Sequence, residues 1–370
     1  MGFDPKAIRK IAINTGGGDA PGLNAVIRAA TLAALRNGWD VWGIRYGYRG
    51  LLDGADPRDL VQLSADAVRG ITHRGGSVLG TANKGNPFEF PVTQPDGSVV
   101  VMDRSDEVMR NFRQHGFDAL ICIGGDGSLR IAHRFVEKGM PIVGVPKTID
   151  NDLSGTVITF GFDTAISNAC DAIDKLHTTA ESHERVFVVE LMGRYAGFIA
   201  LNAGVAGSAD AVLIPEIPFE LTKVAEKIRQ RELAGRHFSI VVVAEGAKPK
   251  GGELTVQGPK EAGREVLLGG IGQRIATELG KLTGKETRSL VVGHIQRGGS
   301  PTAFDRLLGL RFGSAAVRAL EAGDINVMVA LDPPTVKTIP LSQGIVHTRQ
   351  VPLDSDTVLT ARSLGVCLGD

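Results

Sequence analysis

Short apolar runs that stop at glycine punctuate the chain. Residues 11–14 run into GGGDAPG, 119–123 into GGDGS, 141–145 into PKTIDND, 186–191 into MGRYAG, 239–245 into GAKPKGG and 289–294 into IQRGGSP. Runs this short, rich in Val and Ile, predict strands buried on both faces. Between them, residues 24–36, 161–179, 221–233, 265–282 and 305–320 carry apolar side chains three and four positions apart and predict helices. Alternation of the two kinds predicts an α/β fold: Rossmann-like domains with mainly parallel sheets flanked by helices. Ligands of such sheets bind beyond the carboxyl ends of the strands, and each glycine-rich motif falls at such an end. Residues 88–102, broken by Pro, Asp and Gly, predict a hairpin or flap.

Composition narrows the class. At 370 residues the chain is long for one domain and suits two. With no linker-like or low-complexity stretch between them, the two domains are expected to share a close interface with the active site in the cleft. A formal net charge of zero gives no global field to recruit nucleic acid or an anionic membrane, although local basic clusters can still hold phosphates. Cys122, Cys170 and Cys367 lie far apart with no CxxC pair, which fits a reducing compartment and gives no disulfide frame. With no signal-peptide pattern and no apolar run of about 18 residues, a cytoplasmic protein is the expectation.

The motifs carry the chemistry. Loop 16–22 precedes a helix, so its glycines let backbone N–H groups approach an anion at a helix N-terminus; a tight strand-to-helix turn is the plainer reading. It is neither a Walker A loop nor a GxGxxG dinucleotide loop. Loop 124–128 repeats the arrangement with Asp126 inside it. A carboxylate beside phosphates calls for a bridging Mg²⁺, whereas a simple cap of a helix beginning near Ser128 is the alternative. In PKTIDND, Thr148, Asp150 and Asp152 stand at alternate positions, which in an extended segment point one way. One carboxylate can then take a proton from an attacking hydroxyl while its neighbour orients metal or water; an Asx-rich turn is the alternative, and it does not account for Lys147. Arg185, Arg194, Arg288 and Arg297, with His294, recur at predicted strand ends on one rim, where guanidinium forks match phosphate oxygens. Glu245 at another end suits sugar hydroxyls. No histidine spacing suggests zinc, and no GxSxG motif suggests a hydrolase.

GGDAPG, GGDGS, TIDND, MGRYAG and GHIQRGGSP occur in an order that resembles the phosphofructokinase family, from about Lys10 to Ala316. The resemblance implies phosphorylation of fructose 6-phosphate at its 1-hydroxyl, in glycolysis, with Mg²⁺. It implies a donor domain of residues 1–160 plus about 297–345, and a sugar-phosphate domain of about 161–296 plus 346–370. Asp150 would be the base, Asp126 the metal ligand, Thr148, Lys147 and Asp152 parts of the reaction centre, and Arg194 the stabiliser of the transferring group. Gly18, Tyr48, Asn83, Lys84, Asp126, Gly127 and Ser128 would line the donor site. Met192, Gly193, Glu245, His294 and Arg297 would hold the sugar phosphate. Arg185 and Arg288 would reach into a neighbouring subunit's site, implying a homotetramer or homodimer.

Two positions bear on the donor. Gly127 leaves room for ATP, because pyrophosphate-using members of the family usually carry Asp there; Lys147 is the pyrophosphate-type residue. The combination resembles a mixed subgroup, and ATP is the expected donor with pyrophosphate as the alternative. Asn83 and Lys84 stand where ATP enzymes commonly place Arg-Phe, and Lys84 supplies a point charge without a fork. Leu32 and His177 replace partners of Arg28 at the bacterial effector site, so weak or altered regulation is expected. A kinase for another sugar phosphate, and a non-catalytic sugar-phosphate-sensing subunit, are the remaining readings.

Overall fold

A computed structural model describes residues 3–82, 85–256 and 268–370. In chain order the elements are β1 (Lys10–Thr15), α1 (Leu23–Arg36), β2 (Asp40–Ile44), β3 (Leu60–Gln62), β4 (Phe90–Thr93), β5 (Val99–Met102), α2 (Ser105–Gln114), β6 (Ala119–Gly124), α3 (Asp126–Glu137) and β7 (Ile142–Pro146). There follow α4 (Phe162–His183), β8 (Val186–Leu191), α5 (Phe198–Ala206), β9 (Ala211–Leu213), α6 (Leu221–Leu233), β10 (Ser239–Ala244), α7 (Ile271–Thr283) and β11 (Thr287–Val291). The chain closes with α8 (Ala303–Ala322), β12 (Val327–Asp332), β13 (Thr335–Pro340), α9 (Leu341–Gly344) and α10 (Asp356–Ser363). They form two compact units. The first takes the described residues of Met1–Ile149, with Leu153–Gly161 and Arg297–Thr348; the second takes Asp150–Asp152, the described residues of Phe162–Gln296, and Arg349–Asp370.

The first unit is built on a seven-stranded sheet in the order β13-β12-β7-β6-β1-β2-β3. Its strands are parallel except at the edges, where β3 and β13 run antiparallel. Successive side chains of a strand face opposite ways, so each inner strand feeds two cores. Ile11 and Ile13 join Val26, Ile27 and Phe312 on one face. Ala12, Leu120 and Cys122 join Tyr48, Phe112 and Phe135 on the other. Burial on both faces is why these strands read as unbroken apolar runs. Residues 88–102 contain the β4–β5 hairpin, whose second strand is exposed along its length. The second unit has a wholly parallel sheet in the order β11-β8-β10-β9, with Val186, Val188, Val241 and Val243 packed against α6 and α7 residues such as Ile228 and Ile275.

Local backbone chemistry moves some predicted boundaries. The strand expected over 289–294 stops at Val291, because Gly293 takes a left-handed φ of 52° and opens a 3-10 helix, Gly293–Arg297. That strand is also a sheet edge and only half-buried, unlike its neighbours. The helix expected over 265–282 starts at Ile271, since Gly269 and Gly270 hold φ values of 137° and 85° that no helix accepts; the expected start at 265 lies outside the described residues.

Helices α1 and α8 pack with almost nothing between them. A Cβ on Gly309 would stand 3.0 Å from the Gly22 carbonyl oxygen, and one on Gly313 would strike the Val26 carbonyl oxygen and lie 3.0 Å from the Ala30 nitrogen. Replacing Gly313 with Ala therefore forces the helices apart. Gly313→Ala is expected to cost about 1–3 kcal/mol, as overpacking does, and to lower the denaturant midpoint followed by circular dichroism.

Candidate active site

In the first unit two glycine turns meet at the carboxyl ends of β1 and β6. The Gly16 N–H donates to the Ile123 carbonyl at 2.9 Å, and Gly17 to the Ala82 carbonyl at 3.2 Å. A Cβ on Gly16 would stand 2.6 Å from Ser128 Oγ, so the first turn rests on the second. Lys147, almost fully buried, closes the cluster: its N–H donates to the Gly124 carbonyl at 2.9 Å, and its ammonium donates to the Gly18 carbonyl. Arg297 lies on the same turn, donating from its guanidinium to the Asp19 carbonyl at 2.9 Å. Gly18, Ser128, Lys147 and Arg297 are thus neighbours.

Helix α3 starts at Asp126, with Gly125 as its N-cap and no side-chain cap bond. Asp126 is therefore a first-turn residue, favoured there by the helix dipole, and not a cap. Its carboxylate pairs with Arg130 one turn on at 2.9 Å. Gly127 is exposed on that same turn, and a Cβ added to it would meet no atom of the described residues within 4 Å. Tyr48 is placed otherwise than expected: its ring is 6% exposed, packs 4.8 Å from Phe135, and its hydroxyl faces Cys122. It belongs to the core on that face of the sheet. Asn83 and Lys84 lie outside the described residues.

PKTIDND does not stay extended. After Lys147 bridges to Phe160, the chain turns, and Asn151 takes a φ of 54°. A left-handed residue breaks the two-residue repeat, so the expected common direction of Thr148, Asp150 and Asp152 does not hold. Thr148 is buried in the first unit, and its carbonyl accepts from Thr159 at 2.8 Å, whereas Asp150 and Asp152 belong to the second.

In the second unit the ends of β8 and β10 are locked together. The Glu245 N–H donates to the Leu191 carbonyl at 2.8 Å and Gly246 to the Gly193 carbonyl at 3.1 Å. Gly193, at φ 140°, lets the turn Met192-Gly193-Arg194 fold against that pair. Arg194 is half-buried with its guanidinium 5.1 Å from the Tyr195 ring. The carboxyl of Glu245 is pushed up to about 7, first by burial and then by the charges of Asp150 and Glu190, with Gly193 and Arg194 opposing. Asp150, Glu245 and Arg194 therefore sense one another electrostatically.

The expected single basic rim divides. Arg194 stands at the carboxyl end of β8, but Arg185 precedes the amino end of that strand and Arg288 lies in the first half of β11. Both pair with Glu286, Arg185 at 2.9 Å. The strands are parallel, so these two arginines occupy the opposite rim from Glu245. His294 is exposed on the 3-10 helix.

The phosphofructokinase family model matches residues 10–320. The chain belongs to this family. It is 48% identical to a protein of Clostridium perfringens named ATP-dependent 6-phosphofructokinase 2, over 98% of this chain and 99% of that one. It is 50% identical to an ATP-dependent 6-phosphofructokinase of Chloroflexus aurantiacus, over 98% of both. A pyrophosphate–fructose 6-phosphate 1-phosphotransferase of Amycolatopsis mediterranei is 46% identical, over 93% of this chain and 97% of its own. The crystal structure of Pichia pastoris phosphofructokinase in the T-state superposes with a TM-score of 0.77 at 31% identity, covering 97% of this chain and 37% of that longer one.

Sequence patterns of the phosphofructokinase did not single out Glu190 or Arg349. Glu190 is 2% exposed and accepts from Gly272 N–H at 2.7 Å and Gly270 N–H at 3.0 Å, so it caps α7 from a neighbouring strand. A lone acid inside VFVVEL was the available signal. Arg349 sits in a stretch with no motif at all. Among the described residues, no three Asp, Glu, His or Cys side chains gather as a metal cage. A single carboxylate such as Asp126, completed by phosphate oxygens, is what Mg²⁺ commonly uses.

Glu245 makes the phosphofructokinase's stability depend on pH. The carboxyl releases its proton near its ordinary value of 4.5 when unfolded and near 7 when folded. Between those values the folded chain holds the extra proton, so stability falls as pH rises, and the penalty is complete above the upper one. Glu245→Gln removes the titration. Its stability advantage over the parent is expected to grow from about pH 5 to about pH 7 and then level off, read from denaturant midpoints across that range.

Proposed function

We propose that this chain is an ATP-dependent 6-phosphofructokinase, moving a phosphoryl group from ATP to the 1-hydroxyl of fructose 6-phosphate. The observation that carries the donor reading is the bare first turn of α3. Gly127 has ordinary helical geometry, and among the described residues nothing near it calls for glycine there. Glycine costs a helix about 1 kcal/mol relative to Ala, and the space it leaves suits a nucleotide's phosphates.

The first unit supplies the donor side. N–H groups of the 16–18 and 124–128 turns, with the amino end of α3, suit phosphate oxygens. Lys147 acts through the loop it holds, since its ammonium is engaged with the Gly18 carbonyl. Asp126 would hold Mg²⁺, exchanging Arg130 for the ion. When bound, the metal neutralises charge on the donor phosphates.

The second unit supplies most of the sugar side, Thr148 and Arg297 being residues of the first. Asp150 takes the proton of the attacking hydroxyl, and Thr148 and Asp152 set the segment around it. Arg194 stabilises charge on the transferring group, the largest source of acceleration in such reactions. Met192, Gly193, Glu245, His294 and Arg297 recognise the sugar phosphate. Arg185 and Arg288, on the opposite rim, serve a neighbouring copy in a homodimer or homotetramer. No helix among the described residues is long and apolar enough to cross a membrane; we assign the enzyme to glycolysis in the cytoplasm. Pyrophosphate is the second reading, favoured by Lys147 and by the name of the Amycolatopsis relative.

Turnover of fructose 6-phosphate with ATP and with pyrophosphate, assayed side by side, tests the donor; activity with pyrophosphate alone overturns ATP. Gly127→Asp is expected to leave stability unchanged within about 1 kcal/mol, an acid being welcome in a first turn, and to depress use of ATP far more than use of pyrophosphate. Asp150→Asn is expected to lower turnover about 10²-fold or more while substrate binding, followed by calorimetry, persists; unchanged turnover removes Asp150 from its role.

A further inference from the structure

The segment that enters the second unit at residue 349 is attached through three successive residues. The Arg349 N–H donates to the Asp152 carbonyl at 2.7 Å. Its guanidinium lies 4.7 Å from the centre of the Phe198 ring, the first residue of α5. Gln350 donates to the Tyr195 carbonyl at 3.4 Å. The Val351 N–H donates to Glu216 Oε1 at 2.8 Å, and the same carboxylate accepts the Gly197 N–H at 3.0 Å. One short stretch thus fastens the end of TIDND to the far end of the MGRYAG turn.

We propose that Arg349 is a positioning residue for phosphoryl transfer, holding Asp150–Asp152 in register with the turn that carries Arg194. The inference rests on the function proposed above. Asp150–Asp152 is a short excursion from the first unit's chain, with a left-handed Asn151 at its centre. A non-glycine residue in that conformation persists only where its surroundings fix it. Arg349 fixes the carboxyl side of the excursion from main chain and side chain together. Packing alone does not explain it. An apolar residue would cover Phe198 without taking a guanidinium out of water, and burial does weaken the hold of Arg349 on its proton while the Asp152 charge offsets part of that loss. The arginine carries both a flat face for the ring and a charge for the acidic segment. Asp150 is two residues from the anchored Asp152, and a shift of about 1 Å at a reacting group can cost about 10²-fold in rate.

The experiment compares the full-length parent with Arg349→Ala and Arg349→Lys, measuring kcat, both KM values and the folded fraction by circular dichroism. Arg349→Ala is expected to lose about 10- to 100-fold in kcat with both KM values within about threefold, because geometry at the reacting centre is lost while ligand contacts remain. Added guanidinium ion is expected to restore part of the kcat of Arg349→Ala. Arg349→Lys, keeping the charge without the flat face, is expected to fall between Ala and the parent. A folded Arg349→Ala with kcat within about twofold of the parent overturns the proposal. So does a kcat loss that only follows the folded fraction and ignores guanidinium. If Arg349→Ala does not fold, Arg349→Lys decides: kcat equal to the parent's overturns the proposal, and a reduced kcat in a fully folded variant supports it. Failure of the function itself looks different, since the parent would then turn over neither donor.

Discussion

The second unit depends on a close approach of main chain to main chain. The Cα of Gly246 lies so near the Arg194 carbonyl that an added Cβ would overlap that oxygen and sit 2.9 Å from the Gly193 oxygen. With no side chain between them, the ends of β8 and β10 share the bonds from Glu245 and Gly246. Everything polar in that unit's site hangs from this junction: Arg194 on one strand end, Glu245 on the other, and Glu190 just before the turn. Glu190 also reaches the amino end of α7, where Gly272 leaves room for its carboxylate. The raised proton affinity of Glu245 comes first from its burial at this junction and then from the nearby charges of Asp150 and Glu190.

The first unit solves a related problem differently. Here two glycine turns stack, and a buried ammonium holds them. Lys147 follows directly on a strand with no exposed residue and ends on a carbonyl of the facing turn. An amine buried beside main-chain oxygens replaces water as their partner. The loops are thereby formed in advance of any ligand, which lowers the ordering cost of binding.

Much of this was legible in the sequence because the inner strands are covered on both faces. The apolar runs ending in GGGDAPG, GGDGS and MGRYAG correspond to β1, β6 and β8, and α6 spans 221–233 in both readings. Edges and turns were less legible. Strand β11 is half-covered, so its apolar pattern ran on into residues that instead coil at Gly293. The acidic segment was read as extended because alternation was visible, whereas the left-handed Asn151 was not. Arg185 and Arg288 looked equivalent to Arg194 because one-dimensional spacing does not say which end of a strand a residue marks. Arg349 had no local signal: it acts on residues some two hundred positions earlier in the chain, and only folding brings them together.

The bare turn at Gly127 has a consequence for how such proteins change over generations. Most substitutions that alter a site also erode stability, and chains close to their stability threshold tolerate few of them. Position 127 is less bound by this, because among the described residues a Cβ there would meet nothing within 4 Å. If this residue selects the phosphoryl donor, as proposed above, a lineage can try one donor after another without first acquiring compensating changes in its cores.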